Sequence, residues 1–283
     1  MKTNLALQTI RQSLHLSSSQ INQYLLCSKK YEYHYVKGIR PTHTSVNLIF
    51  GSAIHSALEQ YYLHYQRHGK AMSADDLGDV LCEHIASSRA GSDTPIRFSK
   101  EMPDLDAVEA MGRKMLEVFS DQVNLEGFSI EAVELPLSAP LYDLEGFETG
   151  FDLVGVIDLL LRDQCTGEYV AVDHKTARNS YSHAMCEDSI QMSLYAWLLE
   201  YNGYLDGKSK HFMGKQVFRG RFDVLRKLKT PKFEQVELSR STEDLQRFET
   251  LALDVLTAID KQVFLSMHGW QCADCGYRKV CRG

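Results

Sequence analysis

One hairpin constrains this chain more than any other feature. Phe151 to Leu161 is a long run of β-favouring apolar residues, the turn residues Asp163 to Gly167 close it, and a second apolar run follows from Glu168 to His174. That pattern folds as two antiparallel strands. The turn centres between Cys165 and Thr166, so residues that face each other have numbers summing to about 331. Asp158 and Asp173 meet that condition. Two carboxylates set opposite each other in otherwise apolar strands repel and raise each other's pKa, a conflict that a divalent cation resolves. Lys175 lies two residues past Asp173 and projects from the same face, within reach of a water or phosphate at such a cation. A lone Asp-x-Lys would read as a solvated ion pair at a strand end; the acid opposite it makes a metal site the better reading.

The rest of the chain must build around that hairpin. At 283 residues, 44% hydrophobic and 24% charged, it is an ordinary globular composition able to bury roughly 75% of its unfolded surface. No run approaches the ~18 apolar residues of a membrane span, and Met1 to Leu16 lacks a signal-peptide core, so a cytoplasmic protein with no membrane contact is expected. Helices are predicted over Leu16–Val36 (opened by the capping box Ser17 to Gln20), 47–68, 74–89, 104–124, 189–201 and 241–264 (opened by Ser241 to Asp244). Strands are predicted from Phe128 to Leu137, at the hairpin, and over 215–225 and 233–238. The order suits a mixed α/β (α+β) domain spanning 1–283. Within it, 70–126 reads as a helical insertion, 128–240 as the sheet and helix that carry the site, and 241–283 as a C-terminal helix with a cysteine cluster.

Further candidates stand at fixed spacings. Gln191 and Tyr195 are i and i+4 on one helix face, suited to hold a phosphate, a base edge or Lys175. His55 interrupts an apolar helix, where a lone histidine is more often a satisfied core residue than a ligand. Cys272, Cys275 and Cys281 form a C-x2-C-x5-C array one ligand short of a tetrahedral site. Cys82, Cys165 and Cys186 have no partner spacing. The net charge of -6 argues against a globally basic coat, yet Lys208, Lys210, Lys215, Arg219, Arg221, Arg226, Lys227, Lys229 and Lys232 face only Asp223 in their segment. That stretch is either a solvated face or a phosphate track. Lys29 to Tyr35 interleaves cations with aromatics, as single-strand stacking surfaces do, although core tyrosines explain it equally.

Gly51 to His55, Gly155 to Asp158, Val172 to Thr176 and Gln191 to Tyr195, taken in order, resemble the successive motifs of the PD-(D/E)XK nucleases, specifically the RecB-like branch that includes the RecB and AddB nuclease domains and the CRISPR-associated RecB-like exonucleases. The resemblance implies a restriction-endonuclease-like sheet flanked by helices. It implies a Mg²⁺- or Mn²⁺-dependent phosphodiester hydrolase, with His55, Asp158, Asp173 and the backbone carbonyl of His174 as metal ligands, Lys175 as the catalytic lysine, and Gln191 and Tyr195 as the branch's Q-x-x-x-Y signature. Asp173 stands where many relatives have Glu. Glu134 lies where some carry another acid, or is a salt-bridged strand residue. The resemblance also implies a [4Fe-4S] cluster held by Cys27, Cys272, Cys275 and Cys281; structural Zn²⁺ on the same thiolates is the alternative. The substrate implied is DNA, as single strands or ends, with Arg219, Arg221, Arg226, Lys227 and Lys229 as candidate contacts. Action beside a helicase, a recombination protein or a CRISPR adaptation protein, in repair or in phage replication, is compatible with it. A non-catalytic iron–sulfur scaffold and a site-specific endonuclease remain the rival readings.

Overall fold

The computed structural model describes residues 13–91, 93–205 and 216–283. A short strand β1 (His15–Leu16) runs into α1 (Ser18–Leu26), which Ser17 and Gln20 cap reciprocally. Cys27 is extended, so the single helix expected over 16–36 is broken there. The chain resumes as α2 (Ser28–Tyr31) and a π-helical turn, Glu32–Val36. β2 (Thr44–Ser45) leads into α3 (Val46–His68), which ends where Gly69 takes a left-handed conformation (φ 64°). Next come α4 (Ala74–Ala90), β3 (Ile96–Arg97), which pairs with β2, and α5 (Leu105–Gln122).

The strands β4 (Phe128–Tyr142), β5 (Glu148–Asp163) and β6 (Tyr169–Ala177) follow, then α6 (His183–Glu187) and α7 (Ile190–Tyr201). β7 (Gln216–Arg226), β8 (Lys232–Ser241), α8 (Thr242–Asp260), a 3-10 turn over Trp270–Cys272 and α9 (Arg278–Arg282) complete the described elements. The capping box of α8 forms between Ser241 and Asp244 as expected. Among the described residues, no helix is long and apolar enough to cross a membrane.

Six strands make one mixed sheet in which β1, β5, β6, β7 and β8 follow one another and β4 pairs along β5. β6 and β7 are parallel, as are β1 and β5; the other pairs are antiparallel. One face packs on α7 and α8 through Leu160, Ala171, Leu194, Leu198, Phe222 and Phe248. The other packs on α3, α4 and α5 through Leu58, Leu81, Phe119, Leu159, Leu161 and Val172. Apolar residues therefore lie on both faces of the hairpin, which is why its strands read as near-continuous apolar runs. At Gly155 a Cβ would stand 2.9 Å from Leu198 Cδ1, so glycine there lets α7 settle close on β5.

Two interruptions in this sheet shape the site. First, β6 pairs β5 only from Leu159↔Val172 to Arg162↔Tyr169, and β1 takes the same edge further back at Asp152 and Leu153. Between them, 154–158 has no partner strand on that edge among the described residues. Second, Val133 and Leu159 pack on the α3 side, whereas Leu135 and Ile157, each two residues away, pack on the α7 side. Strict alternation would keep each pair on one face. Both strands exchange faces at Glu134 and Asp158, and Glu134 does so with φ 49°, a left-handed conformation uncommon for a residue with a side chain.

Candidate active site

The hairpin register is the one the turn demands, since Leu159↔Val172 and its neighbours follow it, but the ladder stops one pair short of the aspartates. In the gap that opens, Asp158 Oδ2 accepts the backbone N–H of His174 at 2.8 Å. His55 from α3 brings Nδ1 to 3.4 Å from the same oxygen. Glu134 reaches the spot from the opposite strand. The ligand atoms of His55, Glu134 and Asp158 all lie within 4.8 Å of one another, the only such trio of His, Cys, Asp or Glu among the described residues.

Asp173 is fully buried beside them. Its Oδ2 pairs with Lys175 Nζ at 2.6 Å, and the Tyr195 hydroxyl stands 3.3 Å from its Oδ1. Lys175 Nζ also donates to Gln191 Oε1 (2.8 Å), Gln191 Nε2 donates to the Tyr195 hydroxyl (2.8 Å), and that hydroxyl donates to the carbonyl of Val156 (2.6 Å). Gln191 and Tyr195, one turn apart on α7, thus fix the ammonium against the carboxylate.

The charges are unbalanced. Burial, then the negative charges of Asp158, Glu59 and Asp173, push the Glu134 carboxyl up to about 8. Burial also raises Asp173, opposed by Lys175 and reinforced by Asp158. Burial disfavours charge on Asp158 too, but the hydrogen bonds from His174 and the ring of His55 outweigh it and hold that carboxyl below its ordinary range. Burial lowers the His55 imidazole. Burial likewise works against the Lys175 ammonium, and the two aspartates overcome it and hold it charged. Carboxylates forced together, a neutral imidazole within ligand distance and a single ammonium suit a hard divalent cation with mixed oxygen and nitrogen ligands.

Most sequence-chosen site residues converge here: His55, Asp158, Asp173, His174, Lys175, Gln191 and Tyr195. Glu134, left open between ligand and salt-bridge partner, joins the trio. Sequence counting missed its position because the register between β4 and β5 shifts at bulges, one of them between Pro140 and Tyr142. Glu59, one turn beyond His55, is a half-buried acid whose carboxyl is raised by burial and whose charge is felt by Glu134. The His174 side chain, expected to be incidental, is buried, stacks on Tyr62 at 5.4 Å and brings Nδ1 to 3.6 Å from Asp158.

The basic segment does not hold together as one track. Arg221 is corrected outright: it is 4% exposed, and its guanidinium grips Asp223 at 2.7 and 3.1 Å. Both residues lie on one face of β7 two positions apart, a pairing that strand periodicity signals. Arg219 is spent on Asp163 and Glu168 at the hairpin turn, and Arg226 on Glu234 and the carbonyl of Arg178. Lys227 and Lys229 line a groove with Thr176 and Arg178, just past Lys175. Lys208, Lys210 and Lys215 lie outside the described residues. Of the aromatics near the N-terminus, Tyr31 and Tyr33 are buried and Tyr35 is 41% exposed.

Cys27, Cys272, Cys275 and Cys281, none in a disulfide, line one small cavity of about 50 Å³. The two chain ends meet there through Lys29 N–H to Leu265 O, Tyr24 to Val263 O and Thr42 N–H to Gly276 O. No three of the four sulfurs come within 4.8 Å of one another. A tetrahedral zinc with Zn–S near 2.3 Å needs sulfurs about 3.8 Å apart. As placed, no three of these thiols stand at the spacing of a single zinc site.

A sequence model described as the PD-(D/E)XK nuclease superfamily matches residues 15–282. Among solved structures, the chain is similar to one named "Putative exonuclease" from Eubacterium rectale, at 12% identity and TM-score 0.52, covering 88% of this chain and 82% of that one. It also matches the structure of SSO0001, at 13% identity and TM-score 0.39, covering 93% and 96%. No curated protein matches the sequence.

Proposed function

Because the chain belongs to the PD-(D/E)XK nuclease superfamily, we propose that it is a divalent-metal-dependent deoxyribonuclease of the RecB-like kind, acting as an exonuclease on single-stranded DNA or DNA ends. The observation that carries this reading is the convergence of His55, Glu134 and Asp158 beside the Asp173–Lys175 pair. Nucleases of this superfamily use divalent metals. His55, Asp158, Asp173 and the carbonyl of His174 would hold the ion, with Glu134 as an added carboxylate. When bound, Mg²⁺ or Mn²⁺ supplies charge that makes a water more acidic and shields the scissile phosphate; the imidazole favours Mn²⁺ somewhat more than an all-oxygen site would.

The chain's own groups do the positioning. Lys175, held by Asp173 and Gln191, presents an ammonium that can orient the attacking water and balance the charge that grows on the phosphate oxygens. Gln191 accepts from that ammonium, and Tyr195, bonded to Gln191, stands against Asp173. His174 N–H keeps one oxygen of Asp158 aimed into the gap. Lys227, Lys229 and Arg178 flank the path beyond Lys175 and suit phosphates of the departing or incoming strand. Cys27, Cys272, Cys275 and Cys281 would carry a [4Fe-4S] cluster that ties the chain ends together, and a partner such as a helicase would supply unwinding.

The test is cleavage of end-labelled single- and double-stranded DNA by anaerobically purified protein in Mg²⁺, Mn²⁺ or EDTA, beside Asp173→Ala and Lys175→Ala, with iron, sulfide and zinc assayed on the same preparation. Metal-dependent loss from labelled ends, absent in both variants, supports the reading. Equal residual cleavage in all three proteins contradicts it. Discrete internal cuts would replace the exonuclease by an endonuclease, and zinc without iron would replace the cluster.

A further inference from the structure

The unpaired edge of β5 floors a groove of about 780 Å³ that no catalytic role has yet absorbed. Val154, Gly155 and Val156, the first turn of α1, and Gln191 and Tyr195 all line it. Among the described residues, no carboxylate lines it.

The first turn of α1 is short of acceptors. A helix leaves its leading N–H groups without intrahelical partners. The capping box answers two donors, since Ser17 Oγ accepts from Gln20 N–H and Gln20 Oε1 accepts from Ser17 N–H. It leaves the N–H groups of Ser18 and Ser19. Ser18 adds a hydroxyl: the residue is only 8% exposed and lines the groove, and among the described residues its Oγ has no hydrogen-bond partner. That oxygen is not sealed off, so an occupant of the groove can reach it. A hydroxyl, two backbone N–H groups and the positive end of a helix dipole all ask for one ligand, a compact anion with several oxygens. Tyr35, on the same groove, offers an aromatic face of the kind on which a base stacks.

We propose that Ser18 and Ser19 seat a backbone phosphate of the single strand whose neighbouring bond is presented to Asp158, Asp173 and Lys175. The groove connects the two places, because it is also lined by Gln191, which accepts from Lys175, and by Tyr195, which abuts Asp173. The seat sets where the strand stops relative to the reacting bond. This inference rests on the nuclease reading above.

The test uses the full chain and single-stranded oligonucleotides carrying one neutral methylphosphonate linkage, stepped along the strand, with Mn²⁺. Ser18→Ala keeps a helix former in the first turn and should raise KM about tenfold with kcat within about twofold, as the loss of a hydrogen bond to a charged group does. Ser18→Asp should raise KM further, about a hundredfold, without lowering the melting temperature, since a carboxylate at a helix start suits the dipole while it repels phosphate. In the wild type, one methylphosphonate at a fixed distance from the cut bond should raise KM about tenfold, and in Ser18→Ala the same position should have no further effect.

Interference unchanged by either variant overturns the seat. Interference that instead follows a 5′-phosphate at the strand end, whatever the cut position, replaces the internal phosphate by a terminal one and overturns the assignment made here. If the wild type cleaves nothing, the nuclease reading has failed, and the seat is read separately by fluorescence anisotropy of the same oligonucleotide in EDTA. Ser18→Asp must still weaken binding at least about tenfold there, and equal binding overturns it.

Discussion

Two buried charge clusters sit side by side in the sheet and have opposite characters. On β7, Arg221 and Asp223 neutralise each other through two hydrogen bonds and are closed to solvent. On β6, one residue across the ladder, His174 pairs with Asp223, and its neighbours Asp173 and Lys175 belong to a centre where Asp158 and Glu134 bring further carboxylate that a single ammonium does not balance. The strands are adjacent and similarly buried, so burial alone does not separate structure from chemistry. Stoichiometry does: a pair that closes its own charge is architecture, and a set that leaves charge over is waiting for a ligand.

The contrast breaks most sharply at Asp173 and Lys175. Either alanine variant should lower metal-dependent cleavage at least about 10³-fold while the fold survives, measured as single-turnover rates alongside circular dichroism; a loss of tenfold or less would mean that the charge surplus does no chemistry. Arg221→Ala should do the reverse. It leaves Asp223 buried and unpaired and should cost about 3–5 kcal/mol in denaturant unfolding, whereas Arg221→Met combined with Asp223→Leu should come near neutral. If the single variant instead changed only DNA affinity, the placement of Arg221 as architecture would fail.

A smaller effect sharpens the other side. The folded Glu134 carboxyl is raised to about 8 from 4.5, so the folded state keeps a proton that the unfolded chain has already lost. Its cost therefore begins as pH rises past the unfolded value and is complete above about 8. In EDTA at that pH, Glu134→Gln should be more stable than the wild type by up to about 3 kcal/mol, with the difference gone near pH 4. In Mn²⁺ the order should reverse, because the wild type gains a ligand's binding energy. Thermal scans across pH with and without Mn²⁺ read both signs. The smallest effect is at Lys227 and Lys229: the double alanine variant should flatten the dependence of log affinity on log salt by about 1–2, whereas Arg219→Ala, whose charge is spent at the turn, should leave it unchanged.

Much of this was legible beforehand because it obeys local periodicity. The turn at Gln164–Gly167 sets the register that brings Asp158 toward Asp173, and the i, i+4 spacing of Gln191 and Tyr195 puts one on Lys175 and the other beside Asp173. What escaped depends on departures from period. Glu134 arrives through bulges and a left-handed residue, neither of which leaves a mark in an otherwise alternating strand. The break at Cys27 hides inside a helical pattern that continues on either side. The run of cations was misleading for a different reason, since net charge along a segment is blind to partners from elsewhere: Arg219 and Arg226 are answered by Asp163, Glu168 and Glu234 across neighbouring strands.

Mn²⁺ binding followed by electron paramagnetic resonance reads directly whether the surplus charge on β4, β5 and β6 holds a cation. Binding should saturate in the wild type, persist in Arg221→Met with Asp223→Leu and be lost in Asp158→Asn. Mn²⁺ bound equally by Asp158→Asn, or by none of the three proteins, would contradict it.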